Sequence, residues 1–152
     1  MHFKRNRCGV AAVYYTFEYY DDRKELTYID SLLYHEEIKG VLSTDIIKIF
    51  NDNNYQATFH RNLKYSNLID NLKEKTLIIV LVDLKYSSLK YLIPSLYHNN
   101  LNHYLVLFAV NESDNNSGVY AIDNNNYIFF INKKKLEKIW GKENNFSIII
   151  QK

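Results

Sequence analysis

The hydrophobic pattern of the chain changes character along its length. From Cys8 to Tyr20 the apolar residues Val10, Ala11, Ala12, Val13, Tyr14, Tyr15 and Phe17 go nearly all the way round a helical projection. Such a helix is buried in a core rather than laid on a surface. Asp21 and Asp22 open a loop, and a second short helix is expected over Leu26–Tyr34, followed by a connection over Glu36–Lys39. Ser43 or Thr44 can cap a third helix, whose Ile46, Ile47, Ile49 and Phe50 recur at helical spacing. Asn51–Asn54 ends it. A short strand at Tyr55–Phe59 and a short helix at Ser66–Leu72 come next, then TLIIVLV at Thr76–Val82, an unbroken apolar strand of the doubly buried kind. Leu84–Asn102, with the only proline at position 94, reads as a long loop with a helical turn.

The last third alternates strands and polar turns. Strands are expected at His103–Val110, Gly118–Asp123 and Tyr127–Ile131, then a helix at Lys133–Trp140 and a strand at Phe146–Ile150. Helices first and an antiparallel sheet afterwards make an α+β layout, with N-terminal helices packed on a C-terminal sheet. The 152 residues amount to one domain, spanning 1–152. Four glycines and one proline leave no flexible linker to divide it.

Composition narrows the function by exclusion. A net charge of +2 is too small for a nucleic-acid partner, which shows as a basic stripe. Lys133, Lys134 and Lys135 form the one basic run, read as a solvated helix start. No apolar run approaches the ~20 residues that span a bilayer, so stable membrane insertion is not expected. Glu18, Asp21 and Asp22 interrupt any signal-peptide pattern at the N-terminus. The single cysteine rules out an intrachain disulfide and a paired-cysteine zinc site. It permits a reducing, cytoplasmic location, while secretion as an effector stays open. No cofactor or metal is called for.

The candidate chemistry starts from Cys8, at the first turn of the buried helix and followed by Gly9. Amides at a helix N-terminus are unpaired and carry partial positive charge. They are expected to lower the thiol pKa and to donate to an oxyanion. Gly9 leaves room for backbone or substrate to approach, and Asn102 is a second candidate substrate contact. His103 begins a strand directly after an Asn-rich loop, where a rigid scaffold presents a base. Asp123 ends the strand GVYAID. If the two strands pair as a hairpin, Asp123 returns toward His103, where an acid can orient an imidazole. His2, His35, His60 and His98 have polar surroundings and read as ordinary surface. Tyr86, Tyr91 and Tyr97 are candidates to line a groove or to cover core.

The segment RCGVAAVYYTFEYY resembles the nucleophile helix of the bacteriocin-processing peptidases, papain-like cysteine peptidases that remove double-glycine leader peptides. HYLVLFAV is similar to the His strand of that family, and GVYAID with NNNYIFFINKKKLEKIW to its Asp strand, hairpin and late helix. STDIIKIFNDNNYQATF and LKEKTLIIVLV match its middle section in kind. The resemblance implies a papain-like fold, with Cys8 as nucleophile, His103 as general base and Asp123 as orienting acid. It implies a peptide or protein substrate and a transporter or secreted-peptide precursor as partner. The family also uses a Gln shortly before the Cys to line the oxyanion hole; here HFKRNR holds none. His2 stands about where that Gln is expected, so its imidazole, or Asn6, is the replacement donor beside the Cys8 amide. One missing donor costs on the order of 100-fold in rate. The absent Gln therefore counts against efficient proteolysis but not against the fold. Two further readings share the scaffold: another acyl-transfer enzyme, such as a deamidase or transglutaminase-like effector, and a catalytically weak binding module.

Overall fold

The computed structural model describes residues 7–86 and 102–152. Five helices are described: α1 (Cys8–Tyr19), α2 (Leu26–Leu33), α3 (Ser43–Asp52), α4 (Tyr65–Lys73) and α5 (Lys133–Gly141). The eight described strands are β1 (Tyr34–His35), β2 (Gly40–Val41), β3 (Gln56–His60), β4 (Leu77–Asp83), β5 (Asn102–Asn111), β6 (Gly118–Ile122), β7 (Ile128–Asn132) and β8 (Ser147–Gln151). A single 3-10 turn, Leu84–Tyr86, follows β4. The arrangement is the α+β fold expected from the pattern. Most of Leu84–Asn102, with Tyr91, Tyr97 and His98, lies outside the described residues, as do His2 and Asn6.

β1 and β2 form a two-stranded ribbon, and the other six strands form one antiparallel sheet in the order β3-β8-β4-β5-β6-β7. The sheet divides the interior in two. On one face α1, α2 and α3 bury Val10, Val13, Phe17, Ile29, Phe50 and others against Ile79, Val106 and Ile148. On the other, α4 and α5 bury Leu68, Leu136 and Trp140 against Val80, Leu105 and Val119. β4 explains why both faces are apolar: its side chains alternate between the two cores, so neither can be polar. The helices thus cover both faces of the sheet.

Four glycines are too few for the turns, and Asn replaces them. Asn54, Asn62, Asn126, Asn144 and Asn145 all adopt positive φ, the region Asn tolerates best after Gly. Asp21 does the same at φ 55°, just beyond the end of α1. The Ser43 or Thr44 cap expected for α3 is not formed: Leu42 is the cap residue and no side chain bonds there. At α5 the cap is real, with Asn132 accepting from the Lys135 amide at 2.9 Å. Lys133, Lys134 and Lys135 occupy that helix start, as expected.

Two features seat α1. At its far end the Tyr20 hydroxyl donates to the Ile150 carbonyl at 2.9 Å and accepts from the Leu77 amide at 3.3 Å, joining the helix to β8 and β4. At its near end Val41 of β2 packs into the notch at Gly9, where a Cβ would stand 2.8 Å from the valine Cβ. Among the described residues no helix is long and apolar enough to cross a membrane.

Candidate active site

Cys8 is the first residue of α1, and that helix start carries no side-chain cap. Arg7 stands at the cap position, and its carbonyl accepts the Ala11 amide at 2.8 Å. The absence of a capping side chain has a chemical result. A Ser or Asp there would take the amide of the second or third helical residue. Here the Tyr104 amide of β5, the Gly9 amide and the Cys8 amide act on the Cys8 sulfur, each pulling the thiol pKa down.

The Tyr104 contact follows from the sheet. Val106 pairs with Ile122, the last residue of β6, so β6 has ended before the level of Tyr104. The sulfur takes up the Tyr104 amide where no further strand continues. Cys8 therefore meets β5 one residue from His103. The register partner of His103 is Val82, a member of the core under α4 and α5. His103 thus starts from that side of the sheet, while Cys8 arrives on the helix covering the other.

Burial, not the helix terminus, governs the thiol. Part of Cys8 reaches solvent, yet crowding around the sulfur pushes its pKa up, outweighing the three amides that pull it down. This corrects the sequence-based expectation of a lowered thiol pKa. That expectation counted the amides and had no means of counting the desolvation that packing imposes. His103 is 3% exposed, and burial pushes its imidazole down to about 4. At neutral pH both groups rest uncharged, as thiol and imidazole.

Asp123 directly follows β6 and is 1% exposed. Its Oδ1 accepts the Asn125 and Tyr127 amides, each at 2.9 Å, and so builds the turn into β7. Its Oδ2 is buried with no hydrogen-bond partner among the described residues, and the same holds for His103 Nε2. Leaving one such atom unpaired costs about 1–3 kcal/mol. Burial also raises the Asp123 carboxyl, against the pull of its turn amides. Tyr15, from the middle of α1, is pushed up to about 12 by burial and then by the Asp123 charge, so that carboxylate is felt from the helix side.

The remaining candidates separate. Gly9 is buried, and the space its missing side chain leaves is filled by Val41, not left open to a ligand. The room expected for substrate on that side is packing room. Asn102 is exposed at the start of β5, opposite Asp83. His35 pairs with Asp45 at 2.6 Å, and His60 lies on the edge strand β3, consistent with ordinary surface. The sequence reading overlooked Arg7, whose partners are distant in the chain, and a groove of about 440 Å³ between α1 and the sheet, lined by Tyr14, Tyr15, Tyr19, Phe108 and Ile128 among others. The consecutive tyrosines were its only trace in the sequence. Among the described residues no three His, Cys, Asp or Glu side chains gather closely enough to hold a metal ion.

No family model matches the chain, and no curated protein matches it in sequence. Solved structures do match. The peptidase domain of Streptococcus ComA, a bifunctional ABC transporter of a quorum-sensing pathway, superposes with a TM-score of 0.70 at 14% identity, covering 99% of this chain and 94% of that one. A double-glycine-motif protease from an AMS/PCAT transporter, solved with its leader peptide, gives 0.65 at 15% identity, covering 99% and 88%. A protein of Bacillus anthracis described as a C39-like peptidase gives 0.71 at 11% identity, covering 100% and 91%. The chain has the fold of these peptidase domains over its whole length.

Proposed function

We propose that this chain is a thiol peptidase domain, with Cys8 as nucleophile, His103 as general base and Asp123 as the acid that orients it. The observation that carries the reading is the Cys8 sulfur. It sits at an uncapped helix start, under the influence of three backbone amides, one of them Tyr104 of β5, the residue next to His103. Among the described residues His103 Nε2 and Asp123 Oδ2 are both buried without a hydrogen-bond partner, so they do not bond each other here and the proposed pair has to close in the working enzyme.

In this mechanism the proton passes from the Cys8 thiol to His103 as the sulfur attacks the scissile carbonyl. With the thiol raised and the imidazole lowered, transfer ahead of attack is uphill, so the two events run together. The carbonyl oxygen becomes an oxyanion that the Cys8 amide holds. Imidazolium, stabilised by Asp123, then protonates the leaving amine. Water, activated by the neutral imidazole, releases the acyl group and restores the thiol.

The substrate class we propose is a peptide cleaved after small residues such as Gly-Gly, as in a leader peptide of a secreted-peptide precursor. This extends to the chain what the described neighbours suggest of themselves. Mass spectrometry of a peptide library incubated with the full chain tests it. Cleavage supports the reading; a one-dalton gain without cleavage supports a deamidase in its place. The raised Cys8 thiol favours a second reading, a papain-like binding module. Alkylation by iodoacetamide at neutral pH no faster than a free thiol, together with no product in the library, would establish that one.

A further inference from the structure

The start of α1 poses a mechanical problem. A side-chain cap would fix it, but would compete for the Gly9 amide that the Cys8 sulfur accepts from. The anchor must come from elsewhere. The Arg7 side chain, 15% exposed, lies with its guanidinium carbon 3.1 Å from the centre of the Tyr34 ring on β1 and its Nε 2.6 Å from Asp30 Oδ1 on α2. Arginine suits this double duty: its plane stacks on an aromatic face while its edge pairs with a carboxylate. Val41 of the neighbouring β2 fills the notch at Gly9. Three separate elements thus grip two residues that flank the cysteine.

We infer that Arg7 is a positioning residue for Cys8, its guanidinium tying the uncapped first turn of α1 to Asp30 and Tyr34 so that the sulfur is held against β5. The inference rests on the reading of Cys8 as nucleophile, but its geometry is independent of any substrate. The titratable groups on elements packed against this turn are Tyr28 and Asp30 of α2, Tyr34 and His35 of β1, and His103 and Tyr104 of β5.

The test uses the full chain with Arg7→Met, Arg7→Lys and Asp30→Asn, each checked for native far-UV circular dichroism. Two quantities are read: the pH dependence of Cys8 alkylation by iodoacetamide, and hydrolysis of a Gly-Gly peptide. In Arg7→Met the turn loosens and the sulfur meets more water. The alkylation midpoint then falls toward the ordinary thiol range and the rate at pH 7 rises several-fold. Over the same change kcat falls by about 10- to 100-fold with KM little altered, the signature of misplacement. Arg7→Lys keeps the charge and loses the stack, and restores part of both. A folded Arg7→Met whose alkylation profile matches the wild type overturns the inference. Should Arg7→Met fail to fold, Asp30→Asn carries the same judgement. A wild-type chain that cleaves nothing defeats the peptidase reading, while the alkylation profiles still decide the role of Arg7.

Discussion

Val41 occupies the space that a methyl group on Gly9 would need. The Cβ of an alanine there would lie 2.8 Å from the Val41 Cβ and 3.0 Å from both its methyl carbons. A branched side chain cannot swing aside, so Gly9→Ala is expected to destabilise the chain by about 1–3 kcal/mol. Val41→Ala in the same chain should recover most of the loss. Urea unfolding of the two single variants and the double variant checks this. A double variant no more stable than Gly9→Ala alone would refute the contact as the cause.

His103 makes folding sensitive to acid. Its pKa is about 4 in the folded chain against an ordinary value of 6.5. Above 6.5 both states hold it neutral. Below that the unfolded chain gains a proton that the folded chain refuses, so stability falls as pH drops from 6.5 toward 4. The full loss is on the order of 3 kcal/mol. Asp123, whose carboxyl is raised, works in the opposite direction: its folded-state penalty is relieved as it protonates in acid. Urea midpoints at pH 7 and pH 4.5 should therefore differ more in the wild type than in His103→Gln.

The same shift places the acid limb of the pH–rate profile. A base that is neutral down to about 4 keeps kcat/KM level well below the usual imidazole range. A limb centred near 6.5 instead would mean that His103 is not the base.

In the proposed mechanism Asp123 combines a structural and a chemical duty on separate oxygens. Oδ1 holds the turn through the Asn125 and Tyr127 amides. Asp123→Asn retains an oxygen for those amides and should fold, with kcat/KM reduced about 100-fold or more. Asp123→Ala removes the turn acceptor as well and should cost a further ~1–3 kcal/mol of stability. Comparing thermal midpoints with rates separates the two.

Cys8→Ala should reduce hydrolysis to the blank rate with the fold intact. The Gly9 and Tyr104 amides then lose their sulfur acceptor, which costs about 1 kcal/mol. Activity retained in a clean preparation would remove Cys8 from the mechanism.

How far the sequence discloses this protein depends on the range of each signal. α1 was legible because its apolar residues leave no face for water, and the unbroken run from Leu77 to Val82 could only be an interior strand. His103 and Asp123 were legible as strand ends. The β1–β2 ribbon was not, because two-residue strands have no periodicity. The α3 cap misled because Ser43 is a good capper by type, while the backbone enters its helix one residue earlier. The thiol pKa misled for a similar reason: the amides at a helix start are visible locally, but the burial that outweighs them exists only once the chain has packed. Arg7 gives no local sign, since Asp30 and Tyr34 meet it only in the folded chain.

The place of β8 in the sheet bears on how the protein is born. β3 and β4 are both made early on the ribosome, yet β3 reaches β4 and the rest of the sheet only through β8, which lies between them. The Tyr20 hydroxyl can take the Leu77 amide of β4 early and gains the Ile150 carbonyl only when β8 arrives. A nascent chain can pair β4 with β5 and β5 with β6, but it cannot dock β3 until β8 has emerged. The outer edge of the sheet is thus the last part to close.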